Sequence, residues 1–346
     1  MQRSFQMSFT NVRCSWTVVS GRIVVVVRGP VLCLLSAVAF GAMGVFGKLA
    51  YDEGATVGTL LSVRFVLAAA LFWLLVAATG RMGAVRSAPR RVVLFGIGLG
   101  AVGYALQAGG FFAALERLDA SLTALVLYTY PTLVTAGAIV LGRERASRRR
   151  VGALLLASTG VALVLLGAGS GRLDPLGVAF ALGAAAVYAT YILVSDGVVD
   201  AVDPLVLSAF VATGAAVTLT GASLVGGDFR PGALTGAGWG WIAGIAVVST
   251  VIAINLFFAG LAQVGPSAAA IFSSLEPVTT VVLAALAFGE ALTAVQLGGG
   301  ALVLSAVVLL NLRRRRAAVP AAGAPPVAAR ALLLGRARAA RAAARG

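Results

Sequence analysis

Long apolar stretches separated by short polar connections recur from residue 30 to residue 312 of this 346-residue chain. Crossing a bilayer core takes about 20 apolar residues, and the stretches 30–50, 56–79, 92–114, 119–141, 150–169, 176–195, 204–225, 239–262, 266–288 and 294–312 are of that order. Backbone inside lipid must satisfy its own hydrogen bonds, so each stretch predicts a helix. The apolar run Ile23–Val27 is too short for a span and leaves 1–29 as an N-terminal segment. Residues 313–346, rich in Ala, Arg and Pro, predict a disordered basic tail.

The pattern also repeats. Phe111–Glu144 returns without a gap 146 residues later as Phe257–Glu290, with nine of 34 positions identical, among them Pro131/Pro277 and Glu144/Glu290. The match continues through Gly152/Gly298, Leu156/Leu302 and Val161/Val307. Internal duplication in apolar sequence is typical of secondary transporters. It divides the chain into two five-helix repeats, 30–169 and 176–312. Five is odd, so the second repeat is expected to sit inverted relative to the first.

Charge gives that expectation a direction. Of 27 basic residues, all but Lys48 are Arg. Arg22 and Arg28, Arg81, Arg86, Arg90 and Arg91, then Arg143, Arg145, Arg148, Arg149 and Arg150, and finally Arg313 to Arg316 all fall on one side of a ten-span chain. The opposite connections hold Arg117, Arg172 and Arg230, each near an acidic residue. The side rich in arginine is the cytoplasmic one, which puts both termini inside. Arg145, Arg148, Arg149 and Arg150 align with Ala291, Ala294, Val295 and Gln296, so the copy expected outside has lost its positive charge. The formal charge of +15 is thereby explained as topology signals and tails, and argues for no nucleic-acid partner. The preference for Arg over Lys, with abundant Ala and Gly, suggests a GC-rich bacterial genome and a bacterial cytoplasmic membrane.

Composition narrows the chemistry. The chain is 60% hydrophobic and 11% charged, against about 25% charged in ordinary soluble domains. There is no His, and Cys14 and Cys33 are the only cysteines, so zinc, haem and Cys/His nucleophile sites lack ligands. A serine intramembrane protease would need a His, and an aspartyl one would need paired Asp inside the membrane, whereas every Asp lies at a span end or in a loop. No P-loop is present, and the GxG strings follow no predicted strand. The reading is an all-α integral membrane protein that is not an enzyme, has no cofactor and draws on a gradient rather than ATP.

The strings LSVRFVLAAALF (61–72), TYPTLVTAGAIVLGRE (129–144) and SLEPVTTVVLAALAFGE (274–290) are joined by the glycine-bearing VGALLLASTGVALVLL and LGGGALVLSAVVLL. In this order the chain resembles the EamA-like transporters of the drug/metabolite transporter superfamily, over about residues 31–312. The resemblance implies a ten-helix carrier of two inverted halves that moves small metabolites or drugs, often outward. Phe40-Gly41 stands where such proteins often carry Trp-Gly.

Several residues could do the work. Glu276 lies nine residues into the ninth stretch, on the order of 13 Å along a helix and so near the bilayer midplane. A carboxylate there costs about 2.5–3.5 kcal/mol on insertion scales and should face a cavity or a partner. It reads either as a proton- or cation-binding group on the transport path, or as a neutral side chain bonded to backbone loosened by Pro277, or as a salt-bridge partner of Arg64. Its repeat mate is Tyr130. Arg64, in the second stretch, either holds a substrate carboxylate, pairs with Glu276, or snorkels to the interface.

Tyr104 and Gln107, a stripe of Ser121, Tyr128, Thr132 and Thr135, Tyr188 and Tyr191, Ser249, Thr250 and Asn255, and Ser273 and Ser274 supply polar groups from five stretches. Singly such residues serve packing; together they suggest a central polar cavity. Pro131 and Pro277 read as hinges or as fixed kinks. Glu144 and Glu290 each suit a cap on the following helix. The expected partners are a small-molecule substrate, the lipid bilayer and protons, with oligomeric state open. A passive channel is the alternative to a carrier.

Overall fold

The computed structural model describes residues 16–19, 22–25, 28–142, 146–167, 173–195, 203–264, 269 and 272–312. Near the N-terminus, β1 (Trp16–Val19) and β2 (Arg22–Val25) pair antiparallel as a small hairpin, with Trp16 opposite Val25. Every other described element is helical. The Glu144 cap, Arg143, Arg145 and Arg172, and the tail from residue 313 fall outside the described residues.

The first half consists of α1 (Arg28–Asp52), α2 (Val57–Ala78), the short α3 (Met82–Ser87), α4 (Arg90–Gly98), α5 (Ala105–Arg117), α6 (Ala120–Leu127), α7 (Tyr130–Val140) and α8 (Arg148–Gly167). The second consists of α9 (Pro175–Ser195), α10 (Pro204–Val225), α11 (Gly236–Ala246), α12 (Ala253–Val264), α13 (Leu275–Phe288) and α14 (Ala294–Leu312). Among the described residues, eight helical segments are long and apolar enough to cross a membrane, including Arg90–Arg117, Ala120–Val140 and Gly236–Leu261 as single runs. The apolar helices Leu275–Phe288 and Ala294–Leu309 are shorter. Large apolar side chains such as Leu74, Leu155, Leu166, Val217 and Leu286 are exposed, as a surface solvated by lipid requires.

Local sequence sets the helix ends. Thr56 caps α2 by accepting from the Thr59 amide, and Thr235 caps α11 by accepting from the Gly238 amide. Asp203 caps α10, where Pro204 opens the helix at no cost in hydrogen bonds. The turn after α1 closes at Gly54, whose φ of 88° and contact with the Ala233 carbonyl leave no room for a Cβ.

The irregularities repeat as faithfully as the residues. A π-helical segment, Leu99–Tyr104, joins α4 to α5, and a second, Val247–Ile252, joins α11 to α12. The 146-residue offset would carry 99–104 to 245–250, within two residues of the observed segment. Likewise a turn at Tyr128–Thr129 separates α6 from α7, and its offset mate Ser274 is the turn residue before α13.

Packing follows the same rule. α2 lies on α10, and α6 lies on α13. α1 packs against α12 and α13, while its counterpart α9 packs against α5, α6 and α7. α10 contacts α4 and the first π segment; α2 contacts α11 and the second. Exchanging the halves carries α2–α10 onto itself, α1–α12 onto α9–α5, α1–α13 onto α9–α7, and the α10 contacts onto those of α2. α8 and α14 cross where a Cβ on Gly160 would lie 2.7 Å from the Gly299 carbonyl oxygen, so their backbones nearly touch.

Candidate functional site

The broken helices carry the site. In α7, Pro131 occupies the first turn, where a missing amide hydrogen leaves no intrahelical bond unmade. Pro277 stands equivalently early in α13, one residue after Glu276. The interruption therefore precedes each proline instead of bending a continuous helix around it. Hydroxyls occupy nearby carbonyls: Thr129 Oγ1 donates to Val126 O at 2.8 Å, Thr135 Oγ1 to Pro131 O at 3.1 Å and Thr279 Oγ1 to Leu275 O at 2.9 Å.

Glu276 lies in the first turn of α13 and lines a cavity with Phe40, Met43, Gly44, Phe111, Ala124, Leu127, Tyr128, Pro277 and Thr280. The cavity offers about 10 Å³ to the centre of a water-sized sphere, roughly the room for one water. No cation lines it. α1 closes one wall: a Cβ on Gly41 would lie 2.7 Å from the Glu276 carbonyl oxygen, and Thr280 Oγ1 donates to Gly41 O at 2.8 Å.

Five of the six tyrosines form one aromatic chain beside this cavity. Ring centroids are 5.6 Å apart for Tyr128 and Tyr130, 4.4 Å for Tyr130 and Tyr188, 6.2 Å for Tyr188 and Tyr191 and 6.0 Å for Tyr191 and Tyr104. Phe65 continues it at 5.4 Å from Tyr104. Ser274, at the helix break, is a hydrogen-bond partner of the Tyr128 hydroxyl.

At the far end of the chain sits Arg64, 2% exposed. Its Nε donates to Thr250 Oγ1 at 3.1 Å, and Thr250 Oγ1 donates on to Ile245 O at 2.9 Å, across the turn where the π segment begins. The guanidinium carbon lies 4.8 Å from the Phe65 ring centroid and 5.3 Å from that of Phe112, and the Tyr104 hydroxyl is also a hydrogen-bond partner. The ion pairs Arg81–Asp203 and Arg117–Asp174 do not include Arg64. The expected alternatives of an Arg64–Glu276 bridge or a snorkelling Arg64 are therefore corrected: the head group is held inside by hydroxyls and aromatic faces.

Other expectations divide. Tyr104, Tyr128, Tyr130, Tyr188 and Tyr191 come together, with Ser274 and Glu276 at one end and Arg64 and Thr250 at the other. Asn255 instead donates to Val251 O on its own helix at 2.8 Å. Gln107 is buried and Ser273 half-buried, neither being on the cavity wall. The span-four stripe is divided: Thr132 Oγ1 donates locally to Thr129 O, while Ser121 Oγ donates across to Glu290 Oε2 at 2.7 Å. Glu290 also accepts from the Ala120 and Ser121 amides at 3.0 and 3.1 Å. It thus caps α6 of the other half, not the helix that follows it, which correction reflects the cross-packing of α13 and α6. The following helix is capped by the exchange between Thr293 and Gln296. Phe40 and Gly41 were missed as site residues; their place at the Trp-Gly position of the family resemblance was the available signal.

Paired helix breaks, a half-buried carboxylate and an aromatic wall inside a bundle of membrane-crossing helices suit a multi-pass membrane transporter. The model of the EamA-like transporter family matches residues 27–166 and again 175–312, and the chain belongs to that family. It is 30% identical to the "Uncharacterized transporter YcbK" of Bacillus subtilis (strain 168), over 78% of this chain and 88% of that one. An "Uncharacterized transporter" of Archaeoglobus fulgidus is 28% identical over 80% and 93%. A solved crystal structure 19% identical in sequence superposes with a TM-score of 0.61, covering 84% of this chain and 98% of that one, and shares the fold.

Proposed function

We propose that the protein is a secondary transporter of small metabolites or drugs in the cytoplasmic membrane, working by alternating access of two inverted five-helix halves with both termini inside. The observation that carries this is the packing of α6, which ends at one break, on α13, which begins after the equivalent one, with Glu276 in the first turn of α13. Discontinuous helices at a repeat interface are how many carriers build a midplane site. Outward movement is the direction that the family resemblance implies.

Glu276 is the coupling group in this reading. A carboxylate among Phe40, Phe111 and Tyr128 without a cation on the wall favours taking up a proton or an ammonium group over remaining a bare anion. A cavity the size of one water admits a solute only after helices separate, which gives alternating access its mechanical meaning here.

The test uses proteoliposomes containing a trapped pH dye, to which pooled metabolites are added from outside. Saturable proton movement is expected with the wild type, and its loss with Glu276→Gln in protein that remains folded. Proton movement unchanged in the Gln variant would remove Glu276 from coupling. Solute flux that never saturates would replace the carrier by a passive channel.

A further inference from the structure

We propose a second site, for the carboxylate or a similar small oxyanion of the transported solute, in the seam between α2 and the π segment Val247–Ile252, built from Arg64, Thr250 and Ser249. The proposal rests on the carrier reading and adds a substrate class to it.

Three observations meet there. First, Arg64 is a buried cation whose described partners are Thr250 Oγ1, the Tyr104 hydroxyl and the faces of Phe65 and Phe112, none of them an anion. Neither the Arg81–Asp203 nor the Arg117–Asp174 ion pair includes it. A charged side chain at membrane depth is costly unless paired, and marks substrate or ion pathways. A guanidinium has five donors in a planar fork suited to a carboxylate.

Second, the neighbour of Thr250 is an orphan. Ser249 is 0% exposed and its Oγ has no hydrogen-bond partner. Leaving a buried hydroxyl unmatched is unfavourable, and such groups in native structures call for an explanation. An oxyanion accepting from it would supply one.

Third, the equivalent seam of the other half needs no charge. At the 146-residue offset Arg64 becomes Phe210, which is buried and packs edge-on against Trp73 with centroids 5.7 Å apart. The scaffold is thus built at that position without a cation, so the fold itself does not require a charge there. Neither described cavity is lined by Arg64. Access therefore needs the span containing Val247–Ile252 to move off α2, and a π segment, with its widened turn, is where such a helix most readily adjusts.

Thermal unfolding of the purified full-length protein is measured with acetate, benzoate and inorganic phosphate, and with benzamide as the uncharged counterpart of benzoate. At least one anion should raise Tm in a saturable way while benzamide does not. Ser249→Ala removes only an unmatched hydroxyl, so its Tm without ligand should equal or exceed that of the wild type, while the anion binds about tenfold more weakly, a difference of about 1.4 kcal/mol. Arg64→Lys keeps the charge without the fork and should weaken binding further. Arg64→Gln should abolish it; where that variant does not fold, Ser249→Ala and Arg64→Lys decide the matter.

Stabilisation by none of the three anions, equal effects of benzoate and benzamide, or unchanged anion binding in Ser249→Ala and Arg64→Lys overturns the site. Failure of the carrier reading looks different: anion binding stays sensitive to Ser249 and Arg64, yet proteoliposomes show no saturable flux.

Discussion

The seam between α10 and the first π segment and the seam between α2 and the second occupy equivalent places in the two halves, and they are made of opposite materials. On the first, a Cβ on Gly100 would overlap the Val211 carbonyl oxygen and one on Gly214 would overlap that of Ile97, so backbone meets backbone. On the second, the mates of Phe210 and Gly214 are Arg64 and Ala68, and a guanidinium bonded to a threonine fills the space. Duplication preserved the path of the helices, and a few side chains then made one seam dry and the other polar. Glu276 against Tyr130 is the same event at the helix breaks.

The largest expected effect tests that division directly. Gly214→Ala should force α10 off α4 and the π segment, costing about 3 kcal/mol or more because the clash is with main chain and no rotamer relieves it. Ala68→Gly, the reciprocal change on α2, loses only a buried methyl and some helix propensity, about 1–2 kcal/mol. Tm and monodispersity of the two purified variants give the comparison; equal losses would mean that the seams are not made differently.

A middle-sized effect belongs to the contact between halves at α6 and α13. Glu290 accepts two amide hydrogens and one hydroxyl at the start of α6. Removing it in Glu290→Ala should cost about 1–3 kcal/mol, the range for a charge-assisted cap. Glu290→Gln keeps an acceptor and should recover part of the lost Tm. If Glu290→Ala unfolds with the wild type, the carboxylate is not what fastens the halves at that end.

Much of this arrangement was legible in the chain. The gapless repeat announced two similar halves, and Pro131/Pro277 marked where both would break, because backbone chemistry follows local sequence. The pairing of Glu276 with Tyr130 flagged the chemical asymmetry. What stayed hidden were partners chosen by cross-packing. Nothing near Glu290 in sequence says that its carboxylate reaches Ala120, and helix spacing alone allowed Arg64 either to meet Glu276 or to reach the interface. Periodicity also gave Thr132 and Thr135 to a polar cavity, yet threonine in a helix readily returns its hydroxyl to a carbonyl one turn back. The π segments carry no residue signature; their near-equivalence in the two halves became visible only in the backbone.

The smallest effect concerns how the ends of the second half are tied. Asp174 before α9 and Asp203 before α10 use one device: Asp174 accepts two amide hydrogens and Asp203 one from the helix it precedes, and each pairs with an arginine of the first half, Arg117 at 3.1 Å and Arg81 at 2.8 Å. Asp174 is held below the ordinary carboxylate value of 3.8, first by the Gly177 amide and then by Arg117. A carboxyl whose folded pKa is depressed contributes stability that is fully present above its unfolded pKa and fades as pH falls through the folded one. Asp174→Asn should therefore lower Tm slightly at pH 7 and flatten the fall of Tm below about pH 4, where the wild type loses the same interaction. Both partners face solvent, so added salt should shrink the difference at neutral pH. A Tm gap between variant and wild type that stays constant from pH 7 into the acid range would show that Asp174 contributes through packing alone.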